Sequence, residues 1–113
     1  MGETLFSKII DKSIPADIIH EDDLCVAFRD VAPQAPVHFL VVPRKPIKRL
    51  ADMEAEDAAL MGHMHMVIVQ LALQENIADA YRVVVNSGAE AGQSVFHLHF
   101  HVLGGRTFAW PPG

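Results

Sequence analysis

Apolar and polar positions along this chain repeat with two different periods, and each change of period marks a new element. Leu5, Phe6, Ile9 and Ile10 recur at helical spacing in "TLFSKIIDK", which predicts two short amphipathic turns stopped by Pro15. "ADIIHEDDLCVAFRD" reads as two short strands joined at Asp22–Asp23, a hairpin. "VAPQAP" is a loop forced by Pro33 and Pro36, and "VHFLVVP" is a β-branched and aromatic strand closed by Pro43. A long helix is expected from about Asp52, its N-cap, to about Asn76. Glu54, Glu56 and Asp57 suit its first turns, and Leu60, Met61, Met64, Ile68 and Leu71 form its buried stripe. "YRVVVN" is the fourth strand, "SGAEAGQS" a glycine-containing loop and "VFHLHFHVLGG" the fifth strand. This order predicts an α+β fold: a five-stranded, largely antiparallel sheet with one short and one long helix. A doubly wound sheet would alternate strand and helix, and this chain does not.

At 113 residues, half of them apolar, the chain has room for one domain with one core, spanning 1–113. The formal charge of −5 argues against a nucleic-acid polymer, which calls for a basic stripe, but leaves room for a small anion met locally. Cys25 is the single cysteine; it reads as a buried thiol in a reducing compartment. "MGETLFSKII" lacks the basic head and apolar run of a signal peptide. It fits myristoylation only loosely, because Phe6 stands where Ser or Thr is needed. "MVIVQLAL" is too short to span a membrane. These features predict a cytoplasmic protein without a membrane partner.

The chemistry is concentrated in "SVFHLHFHVLGG". Alternation in a strand puts His97, His99 and His101 on one face, and Phe96, Leu98, Phe100 and Val102 on the core face. His20 reads as a hydrogen-bonded surface residue. His63 and His65 lie two apart on a helix, about 200° around its axis, so they cannot chelate together. The triad admits two readings. A His-x-His pair with a third histidine is a workable zinc set, to which His38 could add. The neighbouring Gly92, Gln93 and Ser94 offer backbone and hydroxyl donors instead of further ligands, which favours phosphate chemistry without a metal. Imidazole can itself serve as nucleophile or acid at neutral pH.

"HLHFHVL" resembles the signature of the histidine triad superfamily. "FRDVAPQAPVHFLVVP", "YRVVVNSGAEAGQSVFHLHFHVLGGR" and the final "WPPG" resemble its nucleotide-binding branch over essentially the whole chain. The resemblance implies a metal-free homodimer without a cofactor that hydrolyses purine nucleoside 5′-phosphoramidates. His99 would be the nucleophile and His101 would contact phosphate oxygens. The His97 carbonyl and the His38 ring would orient the reactive imidazole, and Ser94 would face the leaving group. Gly92, Gln93 and Asn86 would complete a polar wall. Asp30 would hold the ribose hydroxyls beside Val31, while Leu5, Phe6, Ile9, Ile14 and Phe28 would surround the base. Trp110 would reach the partner protomer's site. The departures, Pro46 where relatives often carry histidine and Arg29 before Asp30, lie mainly outside the polar site. Other readings are a nucleotide-binding interaction module, a metal hydrolase, or a dinucleoside polyphosphate hydrolase from another branch.

Overall fold

The computed structural model describes residues 3–113; Met1 and Gly2, where an acyl group would attach, lie outside the described residues. Helix α1 (Leu5–Ile10) starts at Thr4, whose Oγ1 accepts from Ser7 N while Ser7 Oγ accepts from Thr4 N. This reciprocal cap satisfies two donors that the first turn leaves open. The chain then turns at Lys12, which takes φ 69°. Strands β1 (Ile18–Glu21) and β2 (Cys25–Arg29) form the expected hairpin, followed by β3 (Val37–Pro43). Helix α2 (Ala58–Gln74), β4 (Tyr81–Val84) and β5 (Phe100–Gly104) complete the order. The five strands form one antiparallel sheet in the order β1-β2-β3-β5-β4.

Both faces of the sheet are covered. The face toward α2 carries Cys25, Ala27, Phe39, Val41, Phe100 and Val102, packed on Met61, Met64, Val67, Ile68 and Leu71. The other face carries Val26, Phe28, Leu40 and Val42 under Phe6 and Ile9 of α1. Double burial explains why β3 reads as a nearly continuous apolar run and not as a strict alternation. Among the described residues no helix is long and apolar enough to cross a membrane.

Two element boundaries differ from those the sequence predicts. Asp52 does not cap the long helix, because both its carboxylate oxygens are engaged by Arg49, at 2.9 and 2.8 Å. Two single 3₁₀ turns, Leu50–Asp52 and Ala55–Asp57, lead into α2. Asp57 ties this entry down, accepting from Glu54 N at 2.9 Å and from Lys45 Nζ at 2.5 Å. The fifth strand is also shorter than "VFHLHFHVLGG" suggests. Its register with β3 pairs Val41 with Phe100, so Val42 would face His99 and the next pair to exchange hydrogen bonds would be Pro43 and Leu98. Pro43 has no N–H to give the ladder, and Leu98 N donates instead to Ile47 O at 2.7 Å. Residues 95–97 bend, and Phe96, expected in the core, is 40% exposed.

Gly104 closes β5 where the backbone meets the segment after α2. A Cβ built there would lie 2.8 Å from Ile77 Cβ, Cγ2 and Cδ1. Gly104→Ala should therefore cost about 1–3 kcal/mol of stability through overpacking, measured by urea unfolding. Removing the Ile77 branches in the same chain should recover part of the loss.

Candidate active site

The α1 side of the sheet holds a cavity of about 430 Å³, within the range of roughly 300–1,000 Å³ usual for small-molecule sites. One wall is apolar: Leu5, Phe6 and Ile9 from α1, Ile14 after it, and Phe28 and Leu40 from the sheet. The opposite wall is polar, with Asp30, Asn86, Ser94, His99 and His101. Val31, 97% exposed, stands at its rim. The sheet places these groups by register. His38 and Leu40 share the α1 face of β3, Leu40 pairs with His101, and Val84 pairs with His101 from the other side.

The histidines are wired to one another in a fixed sense. His99 Nδ1 lies 2.8 Å from His97 O. A carbonyl only accepts, so Nδ1 carries the proton and Nε2 keeps a lone pair. A second chain starts at Gln34, whose N–H donates to His38 Nδ1 at 3.0 Å. Neutral His38 therefore carries its proton on Nε2, 2.9 Å from His101 Nδ1. His101 accepts there and presents its own proton on Nε2. No buried side-chain nitrogen or oxygen among the described residues is left without a partner, so the two remaining Nε2 atoms open onto the cavity. One imidazole offers a lone pair and its neighbour, 5.0 Å away between ring centroids, offers a proton.

Burial keeps these rings neutral. Desolvation lowers His38, His97 and His99 below the ordinary imidazole value of 6.5. His101 is brought down to about 4, first by burial and then by repulsion from cationic His99 and His38, against the pull of Asp30. Phe6 stands edge-on to His99 at 4.8 Å, which helps to exclude water. Asp30 Oδ1 accepts from Ala32 N at 2.8 Å, and Oδ2 lies 3.4 Å from His38 Nε2 and 3.9 Å from His101 Nδ1.

Most of the residues singled out in the sequence meet at this cavity, but His38, His97, Gln93 and Trp110 do not line it. His38 stands behind His101 and reaches the site only through that ring. The ring of His97 turns away and donates from Nε2 to Pro43 O at 2.7 Å. The triad therefore does not present three imidazoles on one face, since Pro43 ends the ladder and the chain bends through His97; only the His97 carbonyl serves the site. Gln93 is buried behind the loop. Its Oε1 accepts from Gly88 N, its Nε2 donates to Lys48 O and Val95 O, and its backbone N–H donates to Gly88 O. Gln93 is a strut with no donor left for a ligand. Gly92 borders the cavity at φ 101°, but its N–H donates to Ala89 O. Trp110 is 82% exposed and far from lining the cavity of its own chain. The sequence pattern also misses Arg29 and Leu40, read as a departure and a plain strand residue, and Pro15, Ala16 and Val95, all of which border the cavity. The only signal of the last three is adjacency to Ile14 and Ser94.

Cys25 is fully buried; burial and the Asp22 carboxylate push its thiol up to about 12, which does not suit a free nucleophile. A cation could be held by Asp30, His38 and His101, whose donor atoms lie within 4.8 Å of one another. Three converging triad rings are not available for that purpose, because His97 faces elsewhere.

A five-stranded antiparallel sheet with one long helix, carrying adjacent histidines over a cavity of small-molecule size, defines a class that comparison identifies. The HIT domain model matches residues 11–108. An uncharacterised HIT-like protein of Synechococcus elongatus is 57% identical over 111 residues, 98% of this chain and 97% of the relative. The crystal structure of a HIT family hydrolase from Legionella pneumophila superposes with a TM-score of 0.96 at 41% identity, covering 98% of this chain and all of that one. A histidine triad nucleotide-binding protein from Candida albicans superposes with a TM-score of 0.82 at 25% identity, covering 96% and 83%. The chain belongs to the HIT domain family.

The wiring of the rings can be measured directly. Imidazole ¹⁵N shifts at about pH 7.5 should show His99 as the Nδ1–H form and His101 as the Nε2–H form, both neutral. Four groups with lowered values bind fewer protons folded than unfolded. Stability is therefore complete above about 6.5 and falls as the pH drops toward about 4. The urea midpoint should decline steadily over that interval. A midpoint flat from about pH 7.5 to about pH 4.5 would contradict buried neutral rings.

Proposed function

We propose that this chain hydrolyses purine nucleoside 5′-phosphoramidates through a nucleotidyl-histidine intermediate. The observation that carries the reading is the bond from His99 Nδ1 to the His97 carbonyl, which leaves an unprotonated Nε2 at the cavity. The purine would lie among Phe6, Ile9 and Phe28, with Asp30 accepting from the ribose hydroxyls. Similarity to a nucleotide-binding relative supports a nucleotide in this place.

His99 Nε2 attacks the α-phosphorus in line as the bond from phosphorus to the amine breaks. The departing nitrogen takes a proton from solvent through Ser94, and His101 Nε2–H donates to a phosphate oxygen. Water then attacks the same phosphorus and gives up one proton to solvent, the bond to Nε2 breaks, and the nucleoside monophosphate leaves with neutral His99 restored. Little is asked of the protein beyond alignment and electrostatics. Two prepared imidazoles supply both.

One observation favours a second reading, a metal hydrolase: the Asp30, His38 and His101 donors are close enough to share a cation. Such an ion would displace the proton between His38 and His101 and disrupt the relay. Chelation separates the two. In the proposed reaction EDTA leaves turnover of adenosine 5′-phosphoramidate unchanged. His99→Ala loses at least about three orders of magnitude while still binding nucleoside monophosphate. Rapid quenching traps an acid-labile nucleotide on the peptide holding His99. Label on Ser94 or His101, or activity abolished by EDTA and restored by zinc, would overturn this assignment.

The same proposal includes a homodimer. Met66, Val69 and Leu73 leave a second apolar stripe of α2 exposed, at 58%, 49% and 69%, and β4 is an edge strand. Pairing two copies across these features covers an open edge and an apolar face together, with two-fold symmetry. Trp110 of one copy would then approach the other's cavity. Sedimentation should give a dimer. Deleting 109–113 should preserve it while changing selectivity among amine leaving groups more than turnover of the smallest substrate. A monomeric parent chain, or unchanged selectivity after the deletion, would remove the role given to the tail.

A further inference from the structure

A second cluster of histidine and carboxylate lies on the opposite, α2, side of the sheet, outside the cavity. Asp22, in the turn between β1 and β2, is its junction. Oδ1 accepts from Leu24 N at 2.8 Å and Cys25 N at 2.9 Å. Those two bonds are all that a tight hairpin turn requires of the side chain. Oδ2 has a separate set of neighbours: His20 Nε2 at 2.7 Å, His63 Nε2 at 2.7 Å and Cys25 Sγ at 3.7 Å. Three groups from β1, α2 and β2 converge on one oxygen that has two lone pairs.

The donor atoms of His20, Asp22 and Cys25 all lie within 4.8 Å of one another. A tetrahedral zinc site with bonds of about 2.0–2.3 Å has edges of about 3.3–3.7 Å between ligand atoms. The separation of Cys25 from Asp22, 3.7 Å, already has that value; the His20 ring, 2.7 Å from Asp22 Oδ2 and within 4.8 Å of Cys25 Sγ, reaches it with a shift of about half an ångström or more. The side chains of His20 and Asp22 are 25% and 27% exposed, which opens a path from solvent, while Cys25 closes the inner end. A mixed nitrogen, oxygen and sulfur set does not suit magnesium or calcium, which take oxygen ligands.

We propose that His20 Nε2, Asp22 Oδ2 and Cys25 Sγ bind one divalent cation of the zinc class, with water as the fourth ligand. His63 is a positioning residue, donating from α2 to the lone pair of Asp22 Oδ2 that the cation leaves free. Binding replaces the thiol proton, which passes to solvent, and moves the His20 ring proton to Nδ1. The cation fastens the hairpin turn to its own buried strand, and through His63 to the long helix.

The test uses the purified full chain carrying His101→Ala, so that the Asp30–His38–His101 set cannot contribute, stripped with chelator and titrated with zinc against a chromophoric competitor. One zinc per chain is expected, with affinity falling at least about tenfold on adding His20→Ala. Cobalt(II) in the parent chain should give a thiolate charge-transfer band in the near ultraviolet that Cys25→Ser removes. If Cys25→Ser fails to fold, the cobalt band of the parent and its loss in His20→Ala decide the matter. No stoichiometric zinc, zinc binding indifferent to His20→Ala, or a cobalt complex without the thiolate band would each overturn the site, leaving Asp22 as a hydrogen-bonded anchor of the hairpin. None of these outcomes bears on the reaction at His99.

Discussion

The hydrogen bond from His99 Nδ1 to the His97 carbonyl, 2.8 Å long, gives the His99 imidazole its direction, and much of the surrounding structure serves to hold it. For His97 O to reach the next ring but one, the chain must leave the sheet before His99, and Pro43 provides the reason to leave. With no N–H at Pro43 the ladder between β3 and β5 stops at Val41 and Phe100. The released groups are then caught individually. Leu98 N goes to Ile47 O and the His97 ring goes to Pro43 O. A regular strand through all three histidines would have spent these carbonyls and N–H groups on its neighbours. His99 would then have been left without a fixed tautomer.

Neutrality has a cost that the fold accepts. Four imidazoles buried without charge contribute no positive field to a protein whose formal charge is −5. An anionic ligand must therefore be met by oriented N–H groups, not by net charge. The relay from Gln34 through His38 to His101 provides one such donor at a fixed position. In a site of low dielectric a prealigned dipole is worth more than in water. Arg29, although it borders the cavity, has its charge taken up by Glu75 in a two-pronged contact at 2.7 and 3.0 Å. That pair joins the end of β2 to the end of α2 and so steadies Asp30 next to it.

Elements whose hydrophobic period is undisturbed are legible in the amino-acid sequence. Leu5, Phe6 and Ile9 mark α1, the Asp22–Asp23 turn marks the hairpin, and Met61, Met64, Ile68 and Leu71 mark the buried stripe of α2. Most of the cavity wall is legible too, through resemblance, because local spacing alone does not separate Phe28 in a binding wall from Phe28 in a core. What the sequence leaves hidden depends on partners distant along the chain. Asp52 and Asp57 are equally good N-caps in isolation; Arg49 engages one and Lys45 the other. Gln93 beside Ser94 looks like a ligand donor until Lys48 O and Gly88 N are found to use its amide. Alternation places three histidines on one face, and only the opposition of Pro43 to Leu98 shows why the first of them turns aside.

The two histidine–carboxylate groups of this chain sit on opposite sides of one sheet and show how burial decides the work of the same residue types. The His99 ring is buried and the His101 ring beside it half-buried, each nitrogen has an assigned direction, and the nearby Asp30 is partly occupied by Ala32 N. The carboxylate there is 3.4 Å or more from the rings, too distant to take their protons in strong bonds, so the imidazoles stay neutral and available. At Asp22 the carboxylate lies 2.7 Å from both His20 and His63, and the rings remain open to solvent. Close contact with a carboxylate stabilises an imidazolium or a bound cation, and so suits holding charge. Separation and burial suit a lone pair that must be free to attack. An arrangement like that at Asp22, transplanted to His99, would occupy the nitrogen that the proposed reaction uses. The sheet between them lets one small chain keep both arrangements without either disturbing the other.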